Sequence, residues 1–524
     1  MNKYILLLKF LLFFGLFPNE WVEAQQAPAS NSSTYQPPVF TDASRVEKIK
    51  ALLPAIEKMY KAYAVEKKFP GMVFGIVVDD QLLFAGSAGF THLAKKISAT
   101  STSLFRVASM SKSFTAMAIL KLRDEGKLQL DDEVSRYIPE LKSISLLTTD
   151  APAITIRDLL THSAGFPEDN PWGDRQLDIS HDTFIRMLKK GISFSNSPGT
   201  RYEYSNMGFA MLGEIIRVVS RISYQEYITE NILKPLGMTH TVWEYTKAPA
   251  ELLAHGYRWQ NNNWQEEALL HDGVYGAMGG LITSIEDFSK YMAFHLSAWP
   301  PRNGVETGPV KRSSVREMQQ AWRFSSLSKN ASDPNGQPCA MVNSYGYGLG
   351  VSTDCNGNVH VGHSGGLPGF GSQWRIMPGY GIGVVVFGNL TYASMSAINR
   401  EILDTLVAGA GLKPRQLPVS PILQQRKNEL VKLLPDWKYA EESRIFAVNF
   451  FADHSLAVRK KQTKELFERA GNIIGVSELI PENQLRGSFI LHGEKVDIKV
   501  YFTLTPENPA LIQQLDLQET KKKD

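Results

Sequence analysis

Apolar positions recur at helical spacing from residue 44 onward. Ser44 and Glu47 read as a capping box ahead of Ile49, Leu52, Leu53, Ile56 and Met59, which predicts a first helix. Two β-rich runs follow, Met72–Val78 and Gln81–Gly86. Asp79-Asp80 between them is a hairpin signal. A long helical stretch is predicted from Ala108 to Glu125, with Gly126 suited to a left-handed cap. Residues 150–300 are mainly helical in pattern, with loops at Gly165–Asp174 and Ser195–Arg201. Ser284 and Asp287 should cap a helix running through Leu296. Strands are predicted again at Tyr345–Ser352, Asn358–Gly362, Gly371–Met377 and Ile382–Gly388, then a helix from about Ser394 to Ala408. Strands, a block of helices, strands and a helix make an antiparallel sheet closed by both ends of the domain. Regular strand–helix alternation is missing, so a parallel doubly wound sheet is excluded. The predicted class is α/β of the α+β type: an antiparallel sheet flanked by helices, plus an all-helical subdomain.

Gly411–Pro421 is a break carrying three prolines. Beyond it the pattern changes. Two helical stretches, near Tyr439–Ala452 and Leu456–Ala470, precede strand-like runs at Ile473–Leu479, Gln484–Leu491, Lys495–Thr505 and Ala510–Leu517. Val496, Ile498, Val500 and Phe502 fall on one face of the third run. A separate small α+β domain is expected over 413–524, behind a main domain over 46–412.

Residues 1–24 have the pattern of a secretory signal peptide. Lys3 opens it, an apolar run from Ile5 to Phe17 is broken by Lys9, and Val22-Glu23-Ala24 offers a cleavage point. The run is short for a bilayer span, which needs ~20 apolar residues. Residues 25–45 read as a flexible leader. The expectation is an exported, periplasmic or secreted protein with no stable membrane span after cleavage.

Composition narrows the classes further. Of 524 residues, 43% are hydrophobic and 21% charged, which excludes disordered, collagen-like and coiled-coil proteins. The net charge of +3, from 56 basic and 53 acidic side chains, gives no argument for nucleic acid as partner. Two cysteines cannot build a disulfide scaffold. Export would make Cys339 and Cys355 a candidate disulfide around the Tyr345–Ser352 stretch, and such a loop closure contributes ~3 kcal/mol in the chain-entropy model.

Three constellations carry chemistry. Ser109-Met110-Ser111-Lys112 places a hydroxyl and an amine three positions apart, on one face at the start of the predicted long helix. A buried lysine loses its proton readily and can then deprotonate a serine. Taken alone, Ser109 reads as an N-cap serine before it reads as a nucleophile. A second copy, Ser326-Leu327-Ser328-Lys329, runs into loop composition and is set aside. Tyr204-Ser205-Asn206 offers a phenol to relay a proton and an amide to hold a carbonyl, or simply a packed helix entry. His363-Ser364-Gly365-Gly366, at the end of the predicted strand Asn358–Gly362, would let a substrate lie against a strand edge.

The order S-x-x-K, Y-x-N, then a basic residue before x-G is similar to that of the penicillin-recognising serine hydrolases. It resembles most the class C β-lactamase and D-Ala-D-Ala carboxypeptidase family. FRVASMSKSFTAMAILKLRDEGKLQLDD, TIRDLLTHSAGF, PGTRYEYSNMGFAMLGEII, LKPLGMTHT and GAMGGLITSIEDFSKYM carry the resemblance over about residues 46–410. It implies a β-lactamase/transpeptidase-like fold, Ser109 as nucleophile, and Lys112 and Tyr204 as the acid/base pair. It also implies Asn206, His363, Ser364 and Gly365 as substrate contacts, and the Ser109 and Gly366 amides as oxyanion donors. No cofactor or metal is implied, and the eleven histidines show no H-E-x-x-H spacing. His162 reads as a structural loop residue. Trp259, Trp264 and Trp374 read as core rather than cleft.

One departure matters. The family's β-lactamases usually carry Lys-Thr-Gly where this chain has His363-Ser364-Gly365. A histidine is only partly protonated near neutrality. Peptide, amide or ester hydrolysis is therefore expected before β-lactam turnover. The other readings are a slow-turnover penicillin- or acyl-peptide-binding protein and a true β-lactamase. Gly362-His363-Ser364-Gly365-Gly366 also fits the nucleophile elbow of α/β-hydrolases, but the helix that elbow requires is missing. The expected partner is a small-molecule or peptide substrate, and the C-terminal domain is a candidate for dimerisation or docking.

Overall fold

The computed structural model describes residues 35–333 and 336–522. The expected signal peptide lies outside the described residues. Among those described, no helix is long and apolar enough to cross a membrane. The chain divides into two compact units, one spanning Pro37–Pro418 and the other holding residues 419–522.

The first unit is built on a nine-stranded antiparallel sheet. Its order is Ile97–Ser98, Gln81–His92, Gly71–Val78, Ile382–Gly388, Phe370–Met377, Val359–Leu367, Gly350–Thr353, Met341–Tyr345 and Arg323–Ser328. The two ends of the domain thus meet in mid-sheet, where Gly71–Val78 pairs with Ile382–Gly388. Both of these strands are buried on both faces, which is why they read as unbroken apolar runs. Phe74, Ile76, Val384 and Val386 pack with the helices Arg45–Glu66 and Ser396–Gly409. Val73, Val77, Val385 and Phe387 turn the other way, onto the core that contains Ser111–Asp124 and Ile285–Ser297.

Several local expectations are corrected. Ser44 precedes the first helix, but its hydroxyl donates to Asp42 rather than capping, and Glu47 pairs with Lys50. The segment from residue 37, expected as leader, is tied down: Val39 bridges Gln416, and Phe40 stacks on the Arg45 guanidinium. The single strand expected over 345–352 is a hairpin, Met341–Tyr345 and Gly350–Thr353, reversing through Gly348 at φ +66°. The Cys339–Cys355 disulfide closes the open end of that hairpin, with Cα atoms 5.1 Å apart. Inside the region read as helical lies another hairpin, Tyr257–Gln260 with Asn263–Glu266. Its turn is Asn261-Asn262, both at positive φ, a geometry asparagine tolerates.

In the second unit Ile473–Val476, Arg486–Gly493, Asp497–Leu504 and Ile512–Thr520 pair in that order. Ile480–Asn483 adds to Arg486–Gly493. Ile498, Val500 and Phe502 are fully buried, as their alternation requires. Two helical expectations change. The stretch Tyr439–Ala452 is helical only over Val448–Asp453, and a helix over Pro421–Leu433 rises directly from the proline break. Ser420 caps that helix by accepting from the Leu423 amide, and Pro421 stands where a missing N–H costs nothing.

Candidate active site

Ser109 does not sit on the long helix but one turn before it, in a 3-10 turn over Ala108–Met110. The α-helix itself runs Ser111–Asp124, and every residue from Ser111 to Leu120 is buried. Its polar positions are satisfied inside the core: Ser111 donates to the Ala108 carbonyl at 2.7 Å, and Thr115 to that of Ala277 at 2.7 Å. Ala108 is held at φ +50°, a conformation that costs a non-glycine residue roughly 1–3 kcal/mol. The strand Val359–Leu367 presses against this turn. A Cβ at Gly365 would lie 2.3 Å from the Val107 carbonyl oxygen, so only glycine permits the approach.

Lys112 is fully buried. Its Nζ is 3.0 Å from Ser109 Oγ, 2.7 Å from Asn206 Oδ1 and 3.0 Å from the Met278 carbonyl oxygen. The last two atoms only accept. A neutral amine bonded to both has spent its two protons, and its lone pair is left facing Ser109. Burial drives Lys112 far below the usual lysine range, while the charges of Asp174 and Asp169 pull it part of the way back. The Tyr204 ring lies 4.7 Å beneath the same nitrogen. Burial pushes the Tyr204 phenol well above its ordinary value, partly offset by its hydrogen bond with Ser109.

The helix Asn206–Ser220 begins at this point. Ser205 caps it by accepting from the Gly208 amide, and Asp169 accepts from the amides of Asn206 (2.6 Å) and Met207 (3.0 Å). Asn170 Oδ1 accepts from Asn206 Nδ2 at 3.0 Å, which fixes the amide so that its Oδ1 faces Lys112. Asp174, from the same loop, is 2% exposed, and burial raises its carboxyl far above the usual range.

The His363 motif lies inside the strand Val359–Leu367, not at its end as expected. The neighbouring strand Gly350–Thr353 pairs only with Val359–Gly362, so that edge of His363–Leu367 has no strand against it. The chain then turns at Pro368-Gly369 into Phe370–Met377, with no helix, which disposes of the nucleophile elbow. The expected partial protonation of His363 is also corrected. Burial, assisted by Lys112, pushes its pKa down to about 3. Nδ1 lies against the Ser364 carbonyl, which can only accept. Nδ1 therefore carries the proton, and Nε2 accepts from Tyr345 Oη at 2.8 Å. Both ring nitrogens are engaged, and the ring is neutral.

Ser109, Tyr204, His363, Ser364 and Gly366 line one cleft of about 470 Å³. Lys112 and Asn206 stand behind Ser109, and Gly365 backs the strand. The pattern reading missed three neighbours: Tyr345 donates to His363 Nε2, and Asp174 and Tyr392 line the cleft. None of the three has a local signature, since each depends on a contact across the fold. His162, read as a structural loop residue, packs 4.2 Å from Tyr204 and accepts from the Ser205 amide at 3.1 Å, and so helps seat the Tyr204 loop. The second S-x-x-K falls at the outer edge strand Arg323–Ser328, where Ser326 and Ser328 are solvent-facing. Trp374 is fully buried in the core, while Trp259 and Trp264 pair edge to face on their hairpin.

A family model described as Beta-lactamase matches residues 56–408. "Protein flp" of Staphylococcus aureus (strain N315) is 31% identical over 379 residues, covering 71% of this chain and 70% of that protein. Among solved structures, the octameric penicillin-binding protein homologue from Pyrococcus abyssi aligns with TM-score 0.56 and 22% identity, over 90% of this chain and 96% of that one. A D-stereospecific amidohydrolase from Streptomyces sp. aligns with TM-score 0.52 and 22% identity, over 68% and 98%. These two likenesses are ones of fold.

Proposed function

The chain belongs to the beta-lactamase family of serine hydrolases, and from that premise we propose that it is an exported enzyme cleaving amide or ester bonds through an acyl-enzyme on Ser109. The carrying observation is the Lys112 amine, 3.0 Å from Ser109 Oγ with its other partners restricted to acceptors. Neutral Lys112 takes the Ser109 proton as Oγ attacks the carbonyl. The tetrahedral oxyanion is held by the Ser109 and Gly366 amides, each worth ~10²–10³ in rate by comparison with other oxyanion donors. The proton passes by way of Tyr204 to the leaving nitrogen or oxygen, the C–N or C–O bond breaks, and the acyl group stays on Ser109. Water, activated by the same groups, then releases the acid.

The state of His363 favours peptides and esters over β-lactams. A neutral imidazole with both nitrogens engaged cannot supply the charge that a lysine would offer a β-lactam carboxylate. D-amino-acid peptides and simple esters therefore head the substrate list. The Cys339–Cys355 bridge supports an oxidising compartment.

The test is Ser109→Ala against a p-nitrophenyl ester, with the wild-type trapped for mass spectrometry. The variant should lose at least ~10³-fold in kcat/KM, and the wild-type should gain an acyl mass on the peptide containing Ser109. Hydrolysis at an unchanged rate overturns the assignment.

A further inference from the structure

We propose that His92, His255 and Glu266 form a binding site for one divalent transition-metal ion of the zinc type, which ties the hairpin Tyr257–Gln260/Asn263–Glu266 to the end of the strand Gln81–His92. Each of the three residues offers one ligand atom, and these atoms all lie within 4.8 Å of one another. The two imidazole rings stand 4.1 Å apart, and His255 Nδ1 is 2.7 Å from Glu266 Oε1. None of the three lines the cleft that holds Ser109. The backbone lays the set out. His92 ends its strand and is 8% exposed. The His255 amide donates to the Thr91 carbonyl at 2.9 Å, and the His255 carbonyl accepts from Asn389 Nδ2 at 3.0 Å. Asn389 Nδ2 also reaches the carbonyls of Phe90 and Thr91, so one buried amide fixes both chain segments. Strand pairing sets Glu266 opposite Tyr257, two positions past His255 and within diagonal reach of it.

The donor set selects the ion. Two imidazole nitrogens and one carboxylate oxygen suit Zn²⁺, whereas Ca²⁺ and Mg²⁺ take oxygen ligands. Two imidazolium rings at 4.1 Å would repel each other, so the pair favours the neutral form, which is the form that binds metal. A tetrahedral zinc site with bonds of about 2.1 Å spaces its ligand atoms roughly 3.4 Å apart, so small side-chain rotations close the cluster. The ion replaces the proton shared by His255 and Glu266, that proton goes to solvent, and water fills the fourth position. His92 hydrogen-bonds its own backbone carbonyl through the near nitrogen Nδ1, and this leaves Nε2 to ligate. The hairpin has a use for such a clip. It is a two-stranded sheet, and a ribbon of that size is marginal by itself. Its Tyr257 carbonyl accepts from Thr391 Oγ1 at 3.0 Å, and Gly256 packs directly on Gly369. Thr391 precedes Tyr392 of the cleft wall, so the clip braces that wall from outside.

The test uses the full-length protein, stripped with EDTA and freed of the chelator. It is titrated calorimetrically with ZnCl₂, and Co²⁺ is followed by its visible absorption. One ion per chain should bind, and Co²⁺ should show the intense bands of a four-coordinate site. His255→Gln and Glu266→Gln change positions that are not buried, so the fold should survive them. Each should weaken Zn²⁺ binding roughly 10-fold or more. If His255→Gln does not fold, the exposed Glu266→Gln carries the comparison. In a thermal scan, Zn²⁺ at about 100 times its Kd should raise the unfolding midpoint of the wild-type by more than that of either variant. Zn²⁺ bound equally by wild-type and variants, Ca²⁺ bound as tightly as Zn²⁺, or no Zn²⁺ bound more tightly than ~1 mM overturns the proposal.

Discussion

In the unit over 419–522, buried cations rest on fixed partners. Arg426 donates to the Ala510 carbonyl and pairs with Glu429 at 2.7 Å, and Arg459 donates to the carbonyls of His454 and Phe450. In the unit over 37–418, Lys112 is buried without a carboxylate in hydrogen-bond contact, beside a strained Ala108, an off-balance Asp174 and a neutral His363. The first arrangement is what stability alone demands of a buried charge. The second leaves protonation unsettled near neutrality, and such departures from locally favourable chemistry mark functional sites. The contrast supports the proposal that the chemistry belongs to the unit over 37–418.

The sharpest way to break that contrast is to remove the amine. Lys112→Met keeps the volume and deletes the proposed base. The acylation rate should fall ~10²–10⁴-fold, while the unfolding free energy shifts by no more than about 1–3 kcal/mol, because the cost of burying an ammonium disappears with it. Stopped-flow acylation and a urea melt measure the two effects. A large loss of stability with acylation intact would make Lys112 structural.

The opposite pairing of effects is expected in the C-terminal unit. Phe502→Ala empties a fully buried position, at a cost of ~3–5 kcal/mol. A calorimetric scan should show that loss, while kcat/KM for a small ester below the transition stays within about twofold of wild-type. A proportionate fall in activity would end the division of labour between the two units.

How much of this could be read from the chain depends on how local each feature is. Lys112 lies one helical turn from Ser109, so the spacing alone predicted the contact. Ile498, Val500 and Phe502 declared their face by alternation. The neutrality of His363 was not legible, because it comes from burial that no motif encodes, assisted by Lys112. The helix Pro421–Leu433 was hidden because prolines were read only as breakers, although Pro421 holds the one helical position that favours it. Ser44 failed as a cap because Asp42 competes for its hydroxyl. Asp174 carries no pattern at all, because its meaning lies in the Lys112 amine that its charge acts on from another part of the chain.

The finest probe of the contrast is the pH dependence of acylation, because it reads the unsettled proton directly. In the proposed mechanism attack by Ser109 needs Lys112 neutral, so kcat/KM should fall on acidification through the lysine's pKa. Burial has moved that pKa down, so the acid limb lies well below the ~10.4 of an ordinary lysine. Asp174 works in the opposite direction, since its negative charge favours the ammonium. Asp174→Asn removes that charge, weakens the protonated form, and should move the limb to lower pH by about one unit for a partly screened pair. Activity at high pH, where Lys112 is already neutral, should change little. A structural role for Asp174 would instead lower activity at every pH and leave the limb in place. Loss of the limb altogether would mean that Asp174 itself is the titrating group, and the site would have to be rebuilt around it.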